Sequence, residues 1–154
     1  MSAFGHDEVA RQTFYGLRAH VRLSWTGVVA DFRLAPANLH DTVVAEVMLQ
    51  TVLGRVVGDR NYWNPDLRAA LAEKGLHLLA PYKSKKRAPF RYSLWPTQKR
   101  YRIETVIGQL VERFHAKKVW ARDVWHLISR WLRKLLSHSI AGLSPLSLAK
   151  LINY

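Results

Sequence analysis

Two acidic residues lie where an acid can take part in chemistry. Asp59 directly follows residues 55–58, which have the pattern of a short buried strand, and ligands bind at the carboxyl ends of strands in α/β sheets. Glu104 lies early in a predicted long helix, next to the apolar stripe of that helix, so we expect it to face a sheet. Arg100 is four residues earlier on the same helical face and can reach Glu104 or a phosphate bound near it.

Two carboxylates that converge in a basic setting suit divalent metal ions. Hard oxygen ligands hold Mg²⁺. Two such ions about 3.5–4 Å apart can activate an attacking oxygen and stabilise the leaving oxygen in phosphodiester cleavage. The spacing also allows a structural interpretation, in which Asp59 caps a turn and Glu104 is an early-helix acid favoured by the helix dipole.

The positive charge is concentrated in one third of the chain. The sequence has 24 Lys and Arg residues against 11 Asp and Glu, a net charge of +13. Residues 83–134 hold 15 of these basic residues and three acidic ones, which places +12 of the charge there. Such a field suits a polyanion, most simply a nucleic-acid backbone, although a solvated surface is the alternative. The candidate DNA-binding residues are Lys85, Lys86, Arg87, Lys99, Arg100 and Arg102.

Composition excludes several other classes of protein. The chain has no cysteine, which removes disulfides, thiolate zinc sites and cysteine nucleophiles. The histidines lack the spacing of zinc ligands. No apolar run of about 18 residues is present, and the N-terminus does not have the pattern of a signal peptide. We therefore expect a soluble intracellular protein without a membrane partner.

Hydrophobic periodicity predicts a mixed α/β domain. A hairpin at 14–25 and 28–34 precedes a helix (42–53), a strand (55–58), a helix (65–74) and a strand (76–80). A loop at 82–98 follows, and then helices from about residue 99 and over 120–137. This order predicts a mixed sheet with helices packed on it. The predicted divisions are a poorly structured N-terminus (1–12), the main domain (13–140) and a tail helix (141–154).

Two side-chain roles follow from this layout. Asp41 opens the first helix after a loop, so we expect it to be the N-cap, with a supporting role near a metal site as the alternative. Trp120, Trp125 and Trp131 are expected to anchor the packing of the last helices rather than to stack on bases.

Four segments resemble bacterial insertion-sequence transposases with a ribonuclease-H-like DDE domain. Residues 58–62, Gly-Asp-Arg-Asn-Tyr, resemble the G-D-x-G/N-Y element of these transposases. Residues 100–105, Arg-Tyr-Arg-Ile-Glu-Thr, resemble their R-x-x-I-E-T element. Residues 34–41 and 14–20 are similar to two further elements, and all four occur in the family's order.

The resemblance implies a fold, a site and partners. The fold would be a ribonuclease-H-like mixed sheet with helices on both faces, followed by extra C-terminal helices. Asp59 would be the second catalytic Asp and Glu104 the catalytic Glu, both binding Mg²⁺ or Mn²⁺ in a two-metal site that is expected only if the triad is completed. Arg100 would touch phosphate. The partners would be double-stranded DNA, as transposon ends and target, and further copies of the chain, in the bacterial cytoplasm at the nucleoid.

One departure from the family pattern affects catalysis. Family members carry the first catalytic Asp on a strand upstream of the segment that begins at Phe14, and no such strand is evident here. Asp7 lies in a polar stretch and is a poor substitute. We therefore expect a truncated domain with an open or loosely closed sheet. The functional alternatives are a catalytically inactive DNA-binding remnant and an unrelated ribonuclease-H-like nuclease.

Overall fold

The fold is mixed α/β. The structure is a computed structural model that describes residues 2–7, 11–82, 94–116 and 119–142. Along these residues run five strands, four α-helices and one 3₁₀ turn. In chain order they are β1 (Ala3–Asp7), β2 (Gln12–Leu23), β3 (Val29–Pro36), α1 (Asp41–Leu49), β4 (Gly54–Val57), the 3₁₀ turn (Arg60–Tyr62), α2 (Pro65–Glu73), β5 (Leu76–Leu79), α3 (Leu94–Glu112) and α4 (Val124–Gly142).

The strands form two sheets. One has the order β1-β2-β3, with β1 antiparallel to β2 and β2 joined to β3 by a tight turn in which the Gly27 N–H donates to the Ser24 carbonyl at 3.0 Å. The other is the parallel pair β4-β5, connected through α2. The predicted hairpin and the predicted mixture of antiparallel and parallel strands are confirmed. No hydrogen-bonded pairing joins the two sheets among the described residues.

The N-terminal strand β1 was not predicted. The sequence indicated no regular structure in residues 1–12, but Ala3 to Asp7 pair with Gly16 to Gln12 of β2. Within β1, Gly5 lies close to a neighbouring chain segment. A Cβ at position 5 would lie 2.6 Å from the Ala37 Cβ, so only glycine allows this contact. Asp7 is therefore the last residue of a strand, and the expectation that no strand precedes Phe14 is wrong.

The described contacts divide the chain into two units. The first comprises residues 1–21 and 31–101, and the second comprises residues 22–30 and 102–154. The core of the first unit lies between α1, α2 and the β4-β5 pair, where Leu76 is fully buried. The buried members of this core are Ala35, Val44, Ala45, Met48, Leu49, Leu71, Leu76 and Leu78.

The second unit has a smaller core between α3 and α4. Val106 and Leu110 are four residues apart on α3 and therefore share one buried face. Leu135 and His138 are buried on α4, and the His138 Nε2 lies 2.9 Å from the Gln109 Oε1, which ties the two helices together.

The start of helix α3 differs from the prediction. Helix α3 begins at Leu94, about five residues earlier than expected, so the end of the predicted 82–98 loop is helical. Pro96 misled the prediction, but a proline in the first helical turn has no hydrogen bond to lose. Residues 83–93 and most of the predicted tail helix, 143–154, lie outside the described residues. No helix in the described part of the chain is long and apolar enough to cross a membrane.

The contact at Gly5 gives a test of β1. We expect Gly5→Ala to lower the free energy of unfolding by about 1–3 kcal/mol, the usual cost of overpacking, because the new methyl group would meet Ala37. Urea denaturation measures this change. Gly16→Ala is the matched control, since the atom nearest to a Cβ there is 3.9 Å away. Equal stability of the two variants would contradict the docking of β1.

Candidate active site

Asp59 begins the 3₁₀ turn that follows β4. The Gly58 N–H donates to the Leu79 carbonyl at 2.9 Å, which extends the β4-β5 pairing up to the turn. Asp59 is the N-cap of the turn, and its carboxylate accepts from the Arg60 N–H. Its carbonyl accepts from the Tyr62 N–H at 3.0 Å. Asp59 therefore caps a turn and also presents an exposed carboxylate at the carboxyl end of a parallel strand.

Tyr62 fixes the other end of this turn. A Cβ at Gly58 would lie 3.3 Å from the Tyr62 ring, so the ring packs directly over the glycine backbone. The ring also contacts the core of the first unit, and its hydroxyl lies 3.1 Å from the His20 Nδ1 on β2. His20 is only 4% exposed. The turn that holds Asp59 is thus tied through Tyr62 to a buried residue of the other sheet.

An ion pair joins the same strand to helix α1. The Arg18 guanidinium donates to the Asp41 carboxylate at 3.0 Å, and Asp41 is buried. The N-cap of α1 is His40, whose Nδ1 accepts from the Thr42 N–H at 3.3 Å, so the prediction that Asp41 caps the helix is wrong. Asp41 is instead the first helical residue, where the helix dipole favours its charge and Arg18 pairs with it.

Burial keeps Tyr62 and His20 neutral. Burial raises the pKa of Tyr62 to about 12, and the nearby carboxylates of Asp41 and Asp59 add to this effect. Burial lowers the pKa of His20, against a raising effect of Asp41. The neutral Tyr62 hydroxyl and the neutral His20 ring can form a hydrogen bond with each other. This contact therefore holds the turn in place without adding a charge next to Asp59.

Sequence reasoning missed the pairing of Tyr62 with His20. A signal was present, because Arg18, His20, Asp41 and Tyr62 all lie in the motif segments that carry the resemblance. The pattern indicated which segments matter but not which side chains meet. Arg18 and Asp41 are 23 positions apart in the sequence, and His20 and Tyr62 are 42 positions apart.

Glu104 lies on α3 in the second unit, and its side chain is exposed. The prediction that it faces a sheet is wrong. Val106 is buried two residues later, and two residues correspond to roughly 200° around an α-helix, so Glu104 lies on nearly the opposite side.

The predicted DNA-binding residues are only partly described. The Arg102 guanidinium donates to the Trp25 carbonyl in the turn between β2 and β3. Lys99 and Arg100 lie in the second turn of α3, where only their backbone is described. Lys85, Lys86 and Arg87 lie outside the described residues.

The donor chemistry of Asp59 and Glu104 fits a hard divalent cation. Both side chains offer carboxylate oxygens, the ligands that Mg²⁺ takes, and both are exposed. They belong to different units, so their convergence remains a prediction. Within the described ranges, no group of three or more His, Cys, Asp or Glu residues could hold a metal ion.

Comparison with known families settles the relationship of this chain. A family model described as a transposase DDE domain matches residues 5–121, well over half of the sequence. The chain belongs to the transposase DDE domain family. The match includes the end of β1, the other four strands, the Asp59 turn and the α3 segment that carries Glu104. No curated protein and no solved structure matches the chain.

Removal of the Tyr62 hydroxyl tests the support of the Asp59 turn in this transposase domain. We expect Tyr62→Phe to lower the free energy of unfolding by about 0.5–1.5 kcal/mol, because a hydrogen bond to buried His20 is lost. Exchange of the Tyr62 and Trp63 amides, which donate to the Asp59 and Arg60 carbonyls, should also accelerate. Hydrogen exchange followed by NMR measures both.

The matched control for that experiment is Tyr15→Phe. Tyr15 is an exposed tyrosine on β2, so the same loss of a hydroxyl should leave stability nearly unchanged. Unchanged amide exchange around Asp59 in Tyr62→Phe would refute the support of the turn by this contact.

Buried histidines predict a loss of stability in acid. The pKa of His20 and the pKa of His138 are lowered below 6.5 by burial, so the unfolded chain binds more protons than the folded chain between the depressed values and 6.5. Stability should therefore fall as the pH decreases from about 7.5 to about 5.5. Urea denaturation across this range should show a smaller fall for His20→Gln, whereas His77→Gln, at an exposed site, keeps the original slope. Identical slopes for His20→Gln and the unmodified chain would rule out this contribution.

Proposed function

We propose that this chain cleaves and joins DNA strands in the transposition of an insertion sequence, with Asp59 and Glu104 as two of the catalytic carboxylates. The observation that carries the proposal is the family match over residues 5–121, which includes both acids. The other support is local. Asp59 is exposed at the end of a parallel strand, where α/β proteins bind ligands.

The structure around Asp59 supports a positioned carboxylate. The turn is fixed at its start by the bond from Gly58 to Leu79 and at its end by Tyr62. A ligand side chain on a fixed backbone loses little conformational freedom when it binds, so less of the binding free energy is used in ordering it.

The cofactor we propose is Mg²⁺ or Mn²⁺, held by Asp59 and Glu104. When bound, such ions supply activation of the attacking oxygen and charge stabilisation at the leaving oxygen. The chain's own contribution is to present two exposed carboxylates and a strongly basic environment for a phosphodiester. Arg100, four residues before Glu104, would contact phosphate.

The remaining parts of the proposal concern partners and place of action. The substrates are double-stranded DNA at the ends of the element and at its target, bound by the basic residues between 83 and 134. Further copies of the chain would bring paired ends together, in the bacterial cytoplasm at the nucleoid. The DNA contacts we propose are Lys85, Lys86, Arg87, Lys99, Arg100 and Arg102.

Plasmid nicking tests the catalytic assignment. We expect the purified chain to nick supercoiled DNA with Mg²⁺ or Mn²⁺ and to stop when the metal is chelated. Asp59→Asn and Glu104→Gln should each lower the rate by more than a hundredfold or so, since even groups that only orient metal ligands contribute about 10–100-fold. Asp7→Asn belongs in the series because β1 places this acid on a strand beside β2.

Matched controls separate chemistry from a general loss of negative charge. Asp66→Asn and Glu112→Gln change exposed acids on α2 and α3 and should leave nicking unchanged. Full activity in Asp59→Asn would remove Asp59 from the mechanism. If the unmodified chain binds DNA but never nicks it, the chain is the inactive DNA-binding alternative.

A further inference from the structure

Trp120 is exposed where a packing role was expected. The side chain is 81% accessible, and Trp125 is 74% accessible, so neither tryptophan anchors the packing of α4. Trp131, in contrast, is half-buried. A large aromatic side chain left in water adds little to folding, and tryptophan is the residue type that most often dominates a binding surface. The question is therefore what surrounds Trp120.

Trp120 lines a cleft within the second unit. The cavity has a volume of about 330 Å³ and is formed by the segment after α3 together with one face of α4. Its lining residues are His115, Val119, Trp120, Arg130, Arg133 and Lys134. Arg130, Arg133 and Lys134 are three and four positions apart, so they share one side of the helix. No acidic residue of the described chain lines the cleft.

Two hydrogen bonds hold cations at this cleft. The Arg130 guanidinium donates to the Trp120 carbonyl, and the Lys134 ammonium donates to the Phe114 carbonyl. These bonds attach the segment after α3 to α4 and fix both side chains near the indole. An arginine has five N–H donors and a lysine three, so one such bond uses only a minority of the donors of each side chain.

The lining chemistry selects the ligand. Three cations without an acidic residue in the lining favour a ligand that carries an anionic group. The exposed indole favours a ligand that has a flat apolar face next to that group. A nucleotide has both a phosphate and a base. In a duplex the bases are stacked on each other and unavailable to an indole, whereas bases of a single strand stack on aromatic side chains. The cavity lies at the lower end of the size range of small-ligand pockets, which suits one nucleotide rather than a duplex.

We propose that this cleft binds a single-stranded DNA segment, with one base stacked on Trp120 and the adjacent phosphates on Arg130, Arg133 and Lys134. The inference rests on the proposed function in one respect, that the polyanion bound by this chain is DNA. Binding in the cleft does not involve Asp59 or Glu104. It gives the second unit a DNA-binding site of its own. In transposition, such a site would hold the strand that is unpaired near a cleaved end.

Binding to labelled oligonucleotides tests the proposal. We expect Trp120→Ala to weaken binding of a short single-stranded oligothymidine about tenfold, within the range for one stacked base, and Trp120→Phe to retain most of the affinity. Binding of a duplex of equal length should change less than about twofold. An abasic strand with the same phosphates should bind the Trp120→Ala variant as it binds the unmodified chain.

The phosphate contacts have a separate readout. Arg133→Ala should reduce the slope of the logarithm of affinity against the logarithm of salt concentration by about 0.7 on the single strand, the effect of one lost phosphate contact. Trp125→Ala is the matched control for Trp120→Ala, and Arg55→Ala is the matched control for Arg133→Ala, since both control residues are exposed and neither lines the cleft. Both controls should bind like the unmodified chain.

The outcomes are distinct from those of the nicking experiment. If Trp120→Ala binds the oligothymidine as tightly as the unmodified chain, or no more weakly than Trp125→Ala, the cleft is not the site. Equal weakening on the abasic strand would overturn base stacking. Asp59→Asn should bind normally, so loss of nicking leaves this inference standing. Because Trp120 is mostly exposed, thermal unfolding of Trp120→Ala should match the unmodified chain and exclude misfolding.

Discussion

The contact between Tyr62 and His20 is the constraint on which the candidate site depends. It joins the turn after β4 to the strand β2, and the Tyr62 ring packs closely against Gly58, where a Cβ would lie 3.3 Å from the ring. The hydrogen bond itself is modest in free energy, but it joins the half-buried Tyr62 hydroxyl to the buried His20 ring. Its consequence is geometric, because Asp59 begins the same turn that Tyr62 ends.

The ion pair between Arg18 and Asp41 acts on the same part of the first unit. Arg18 and His20 are two residues apart on β2 and therefore point to the same face of the sheet. One binds the start of α1 and the other binds the turn after β4. Three motif segments that look independent in the sequence are thus physically joined by two side-chain contacts. This explains why a short strand such as β4 can support a positioned acid.

The second unit has a different character. Its core is small, and its surface carries exposed tryptophans among cations, an unfavourable combination for a surface that meets only water. In a transposase DDE domain, the partner that we propose for such a surface is DNA. The first unit holds Asp59 on a turn that ends at Tyr62, and the second unit carries Glu104 on α3 together with the cleft that Trp120 lines.

The sequence by itself determined the family, the mixed α/β class, the two acids worth testing and the order of most elements, because motif spacing and hydrophobic periodicity are local properties. It did not determine the strand β1, because its five residues have little apolar pattern and are paired by hydrogen bonds to β2 in the folded chain. The need for glycine at position 5 likewise comes from the fold, which brings Ala37 too close for a larger side chain there. The exposure of Glu104 and Trp120 was likewise decided by tertiary packing, because a periodic stripe does not say which helical face finds a partner. The pairing of His20 with Tyr62 joins residues 42 positions apart, and only a folded chain brings them together.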